Sequence, residues 1–162
     1  MSMSDARDAD SFMDSSASEM LVNMNYSSLE EFYPAVAIAT LMRVVKDQTL
    51  SQHHNTVVTA VMFIFKSLGV RCVPYIKQVV PSFVNVVRFT PLTEVFLKEF
   101  LFQQLGFLIA IVKQHIRPYL DQILDLVKEH WTVNSPFQIT IIFLIEHVAM
   151  ALGDEFKMFY LI

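Results

Sequence analysis

Five histidines, one cysteine and two adjacent carboxylate pairs are the residues of this chain best suited to chemistry. A protein zinc site needs three or four His, Cys or carboxylate ligands, often set one helical turn apart as in HExxH. His53 and His54 are immediate neighbours, without that spacing or a third ligand. Glu146-His147 is also an adjacent pair, and successive residues on a helix point to different faces. His115 and His130 lie about four helical turns apart. No metal site is expected. Cys72 sits among mostly apolar neighbours with no histidine beside it, so it reads as a small buried residue, not an activated thiol. A lone cysteine forms no internal disulfide, which fits a reducing compartment. Glu30-Glu31 and Asp154-Glu155 fall at expected helix starts, where negative charge complements the helix dipole. Three glycines cannot build a phosphate-binding loop: Gly69 and Gly153 are expected at helix ends and Gly106 at a close packing contact. There is no GxSxG and no kinase HRD or DFG motif. The sequence therefore assigns no catalytic, cofactor-binding or metal-ligating residue, and no cofactor.

The elements around these residues read as helices. The chain is 54% apolar, with only three glycines among 162 residues, which disfavours a sheet protein built on many glycine-rich turns. Residues 1–27 are rich in Ser, Asp and Met without periodicity and are expected to be disordered; residues 28–162 form the folded part. Ser28 and Glu31 fit a capping box opening a helix over about Leu29 to Lys46. Asp47-Gln48-Thr49 breaks it, and a second helix runs from about Ser51 to Leu68, ended by Gly69. A third covers about Pro74 to Arg88, with Pro81 expected to kink it. Others follow over about Thr93 to Lys113 and Pro118 to Trp131. The last, capped by Ser135 and opened by Pro136, runs to about Leu152. In the third helix Ile76, Val79, Val80, Phe83, Val84 and Val87 make one helical face, not a strand alternation.

These faces repeat. Tyr33, Tyr75 and Tyr119 stand at helix starts 42 and 44 residues apart, each within one residue of a proline, and a fourth start is expected at Phe159 or Tyr160. Ala37-Ile38, Val79-Val80 and Ile123-Leu124 correspond; so do Leu41, Phe83 and Val127, then Val45, Val87 and Trp131. Two helices in a period of about 40–47 residues is the pattern of HEAT and armadillo arrays, whose helix pairs cover one another's apolar faces. The expected fold is all-α, a HEAT-type α-solenoid of stacked antiparallel helix pairs, about three repeats long. With uncovered apolar stripes at its ends, the isolated chain is expected to be marginally stable.

The net charge of −4 sits at the start: Asp5, Asp8, Asp10, Asp14 and Glu19 face Arg7 alone, and the rest balances eleven acids with eleven bases. A neutral body has no electrostatic footprint for nucleic acid or an anionic membrane. Phe100–Val112, thirteen residues with Gln103 and Gln104 inside, is too short to span a bilayer. The expected setting is cytoplasmic, with protein partners, no nucleic acid and no membrane span.

Several runs carry a family resemblance. SEMLVNMNYSSLEEFYPAV (Ser18–Val36), Leu50–Arg88 with its FIFKSLG, EFLFQQLGFLIAIVKQHIRPYLDQI (Glu99–Ile123) and FLIEHVAMALGDEFK (Phe143–Lys157) resemble the target of rapamycin (TOR) Ser/Thr protein kinases. The resemblance implies a place in their N-terminal HEAT solenoid, ahead of the FAT region and kinase domain, so no catalytic residue of the family maps here. It implies a non-catalytic scaffold segment whose parent acts in nutrient and growth signalling. The implied partners are the rest of the TOR chain and raptor-type subunits. The family is also found at endomembrane and lysosomal surfaces and in the nucleus. Phe89–Lys98 is a few residues longer than the family's joint, Met1–Ala17 does not resemble the family closely, and the chain ends MFYLI where the family's helix continues, as expected of a truncated product, a splice form or an incomplete gene model. The alternative is a free-standing α-solenoid adaptor that binds a peptide or helix; a membrane-associated helical protein is disfavoured by the charge pattern.

Overall fold

The computed structural model of the chain describes residues 29–157. The acidic tail, Ser28 and the expected fourth start at Phe159 or Tyr160 lie outside the described residues. Within them six α-helices follow one another: α1 Leu29–Lys46, α2 Ser51–Leu68, α3 Ile76–Phe89, α4 Val95–Val112, α5 Leu120–His130 and α6 Gln138–Leu152. No strand occurs among the described residues. Val and Ile favour strands locally, but their helical spacing wins, because it lets a whole stripe leave water together. In α3 the six residues of the expected face are all buried, and Val86 joins them. Full burial of such a side chain is worth about 1.5–3 kcal/mol.

The described residues divide into two compact units after Thr40, within α1. In the first, residues 29–40, Glu30 and Glu31 occupy the first turn, Pro34 lies inside the helix and Tyr33 is exposed. The Thr40 hydroxyl donates to the Val36 carbonyl at 2.8 Å. The second unit begins at Leu41 and is a stacked helical repeat: α4 packs on both α2 and α6, α3 packs on α5, and α3 packs on α4.

The joints between repeats depart from simple helix–turn–helix. Seven-residue 3-10 segments, Gly69–Tyr75 and Lys113–Tyr119, lead into α3 and α5. Pro74 and Pro118, expected in the first turn of their α-helices, lie inside these segments instead. Tyr75 and Tyr119 close them, so the tyrosine register holds for these two, while Tyr33 sits inside α1. The helix before each joint ends alike: Gly69 has φ +55°, Lys113 +52° and Gly153 +56°, all with ψ between −126° and −130°. Each N–H reaches back four residues, to the carbonyls of Phe65, Ile109 and Ala149. Gly69 and Gly153 thus end helices as expected, and Lys113 does the same with a side chain.

One other start and one end differ from the sequence expectation. The Ser135 hydroxyl accepts from the Phe137 N–H at 3.2 Å, and α6 begins at Gln138, after the proline. At its other end α5 stops at His130; Trp131 is extended (φ −83°, ψ 87°) and half-exposed, and His130 is buried in its place. Asp154-Glu155 occupy the first turn of the 3-10 helix Gly153–Glu155 after α6, a helix start as expected.

By length and hydropathy alone, the runs Gln48–Phe89 and Val95–His130, counted through their 3-10 segments, could cross a membrane. Each run is interrupted by a positive-φ residue, Gly69 or Lys113, and a stack of apolar helices gives the same signature.

Candidate functional site

Where a first helix of a repeat ends, a side chain from the second reaches back to cap it. The last carbonyls of a helix have no intrahelical donor. After α1, the His54 Nε2–H is shared between the carbonyls of Val44 (3.0 Å) and Asp47 (2.9 Å). After α3, Lys98 Nζ donates to Arg88 O at 3.2 Å and Thr90 O at 2.7 Å. In the joint after α5, Gln138 Nε2 donates at 3.1 Å to Thr132 O, a carbonyl two residues beyond the helix that also accepts from the Ser135 N–H. A carbonyl only accepts, so the bonded ring nitrogen of His54 carries the proton.

The second of these caps borders a cleft of about 590 Å³ lined by Arg88, Lys98, Glu129, His130, Ser135 and Phe137 among others. Lys98 is only 1% exposed. Burial pushes its ammonium pKa down, and the Glu129 carboxylate partly offsets this. Arg88 Nε donates to both Glu129 oxygens, at 3.1 and 2.9 Å, joining α3 to α5. His130 is buried, its Nδ1–H donating to Leu126 O at 2.8 Å, with its ring edge-on to Phe102 at 5.1 Å. Burial lowers the imidazole pKa; the Leu126 bond opposes this, Lys98 and Arg88 add to it, and Glu129 resists.

Between α4 and α6 the contact is close. A methyl placed on Gly106 would meet Phe143 Cε1 at 3.0 Å, the tight packing expected of this glycine. The Phe143 and His147 rings lie 4.1 Å apart, tilted by 55°, and Phe107 meets Phe143 edge-on at 5.7 Å. Thr140 donates to Glu99 at 3.2 Å. Between α2 and α4, Met62, Phe63, Lys66, Phe107, Ala110 and Ile111 line an open groove of about 460 Å³.

The residues weighed in the sequence do not converge. His53 is exposed beside Gln52, while His54 is buried as a cap. His147 Nδ1–H donates to Phe143 O at 2.8 Å and Glu146 turns to solvent. His115 is exposed. Cys72 is buried and free, and burial pushes its thiol pKa up. Asp154 pairs with Lys157 at 3.0 Å and Glu155 with Arg117. Among the described residues no group of three His, Cys, Asp or Glu could hold a metal ion. Sequence reasoning missed Lys98 and the Arg88–Glu129 link. The available signal was a lysine inside the apolar run Val95–Leu101, 44 residues after His54.

Repeated caps, repeated positive-φ joints and layered helices define a helical-repeat segment. The chain belongs to the TOR Ser/Thr protein kinase family: residues 2–113 match the model of the serine/threonine-protein kinase mTOR domain, so the match takes in the acidic start that the sequence did not tie closely to the family. It is 53% identical over 148 residues to the serine/threonine-protein kinase mTor of Drosophila melanogaster, a match covering 91% of this chain and 6% of that protein. It is 44% identical over 132 residues to the kinase TOR2 of Saccharomyces cerevisiae, covering 82% and 5%. The kinase TOR of Oryza sativa subsp. japonica is 42% identical over 148 residues, covering 85% and 6%. The chain spans about one-twentieth of the length of these relatives.

Proposed function

We propose that this chain is a non-catalytic HEAT-type scaffold segment of a TOR-type Ser/Thr protein kinase, cytoplasmic, whose parent acts in nutrient and growth signalling. Its partners are the rest of a TOR chain and raptor-type subunits. The observation that carries this reading is the repeated cap: polar side chains at the joints are spent on the chain's own carbonyls, as a scaffold requires. In the cleft beside Lys98, His130 likewise donates to a main-chain carbonyl, that of Leu126, while Arg88 is paired with the Glu129 carboxylate.

The test is co-expression with a raptor-type subunit, followed by size-exclusion chromatography and an assay with MgATP and a Ser/Thr peptide. A stoichiometric complex without phosphoryl transfer is expected. Absence of a complex, or phosphorylation of the peptide by the purified chain, overturns the reading. The α2–α4 groove, with Phe63 exposed along it, supports the second reading, a free-standing adaptor. That reading expects the chain to hold a helical peptide there without any raptor-type subunit.

A further inference from the structure

Six prolines punctuate the chain, and only Pro91 and Pro136 follow Ser or Thr. The two dipeptides, Thr90-Pro91 and Ser135-Pro136, stand one repeat apart, in the joints before α4 and α6. Both line the cleft of about 590 Å³, together with Arg88 and Lys98. A residue before proline is held away from the helical region, and Thr90 is accordingly extended at φ −61°, ψ 127°. Pro136 and the residues from Trp131 to Asn134 are exposed. A non-helical Ser/Thr-Pro pair on an exposed joint is the form in which a proline-directed protein kinase takes its acceptor.

The two hydroxyls differ in what a phosphate does to them. Thr90 Oγ1 donates to the Val86 carbonyl at 2.7 Å, and a phosphoester oxygen has no proton to give. The charge would also fall at the end of α3, where the helix dipole opposes it. Ser135 Oγ instead accepts, from the Phe137 N–H at 3.2 Å, and a phosphate oxygen can still accept. It stands just ahead of α6, whose dipole favours negative charge. The acid among the lining residues is Glu129, and it is tied to Arg88. Chemistry and charge both select Ser135.

We propose that Ser135 is a phosphorylation site for a proline-directed Ser/Thr protein kinase using MgATP, and that Arg88 and Lys98 hold the phosphate in the cleft. In the transfer the Ser135 oxygen attacks the γ-phosphorus of ATP. Its proton passes to a carboxylate of that kinase, and ADP leaves with the bridging oxygen. The bound dianion competes with Glu129 for the Arg88 guanidinium. Modification therefore exchanges the α3–α5 link for one between Arg88 and the joint before α6. The site goes beyond the scaffold reading and is independent of any raptor-type subunit.

The test exposes the whole chain to a purified proline-directed Ser/Thr kinase with MgATP and maps the product by mass spectrometry. One phosphoryl group is expected, at Ser135 and absent from Ser135→Ala. Pro136→Ala, which keeps the hydroxyl, should accept it about tenfold more slowly. Thermal melts before the assay confirm that both variants fold. Phosphorus NMR of the product then reads the second ionisation of the phosphate. It is expected below the ordinary value of about 6, because nearby cations favour the dianion. Arg88→Gln should move it back up, and Glu129→Gln, which releases Arg88, should move it further down. Labelling of Thr90 at an equal rate, or of Ser135 only after heat denaturation, overturns the inference. So does an ordinary ionisation that Arg88→Gln leaves unmoved.

Discussion

Lys98 Nζ donates to the main-chain carbonyl of Arg88, ten residues earlier, at 3.2 Å. His54 makes the same bond to Val44, also ten residues back. Gln138 makes it to Thr132 across six, although the joint there, residues 131–137, is the longest of the three. The acceptors Val44, Arg88 and Thr132 are evenly spaced by 44 residues. The donors are an imidazole, an ammonium and a carboxamide. In each joint a side-chain N–H reaches back to a main-chain carbonyl, and the residue type that supplies it varies.

Removing the donor exposes the cost of the carbonyls it satisfies. Lys98→Met is expected to destabilise the chain by about 1–3 kcal/mol, read from chemical denaturation. Lys98→Gln, which borrows the chemistry of Gln138, should recover part of the loss. A Lys98→Met curve that overlays the parent's would show those carbonyls satisfied without the ammonium.

His130 sets a pH dependence. Its folded pKa lies below the ordinary imidazole value of 6.5, held down by burial. The unfolded chain therefore binds a proton that the folded chain resists, and stability falls as pH drops below about 6.5. Melting temperatures at about pH 7.5 and pH 5 should differ less in His130→Gln than in the parent. Asp47, whose pKa is lowered chiefly by the Thr49 hydroxyl, loses its contribution only in more acid solution. An equal pH slope in both proteins would remove His130 as the source.

Lys113 holds φ +52° and ψ −130°, where glycine stands in the neighbouring joints. A side chain there is strained by about 1–3 kcal/mol, more than glycine's cost of about 0.4–1 kcal/mol through the unfolded chain. Lys113→Gly is thus expected to raise stability by about 1 kcal/mol, and Gly69→Ala to lower it by at least as much. Thermal melts of the pair check both signs.

At the α4–α6 contact, Gly106→Leu should cost about 1–3 kcal/mol by overpacking against Phe143. Phe143→Ala in the same chain should recover part of that loss, since the two residues share one space. Strict additivity in the double-mutant cycle would mean the ring moves aside freely.

The helices were legible because their signal is local. Apolar residues three and four apart, with glycine or proline at the ends, place α1 to α6 within a few residues, and the faces of α3 and α5 identify the repeat. Gly69, Gly153 and Gly106 were read correctly for the same reason: an end or a close contact leaves its mark at one position. The starts of α3, α5 and α6 were read a few residues early, because proline is equally compatible with a 3-10 lead-in and a first α-turn.

Residue order alone therefore determined an all-helical chain, its forty-odd-residue period and its TOR kinase resemblance, all carried by patterns within a helix or two. Only the tertiary structure decided that Lys98 is buried, that Arg88 ties α3 to α5 through Glu129, and that His130 takes the place expected of Trp131. Those outcomes depend on which groups meet across the stack. A lysine in sequence looks the same whether its ammonium ends in water or on two carbonyls.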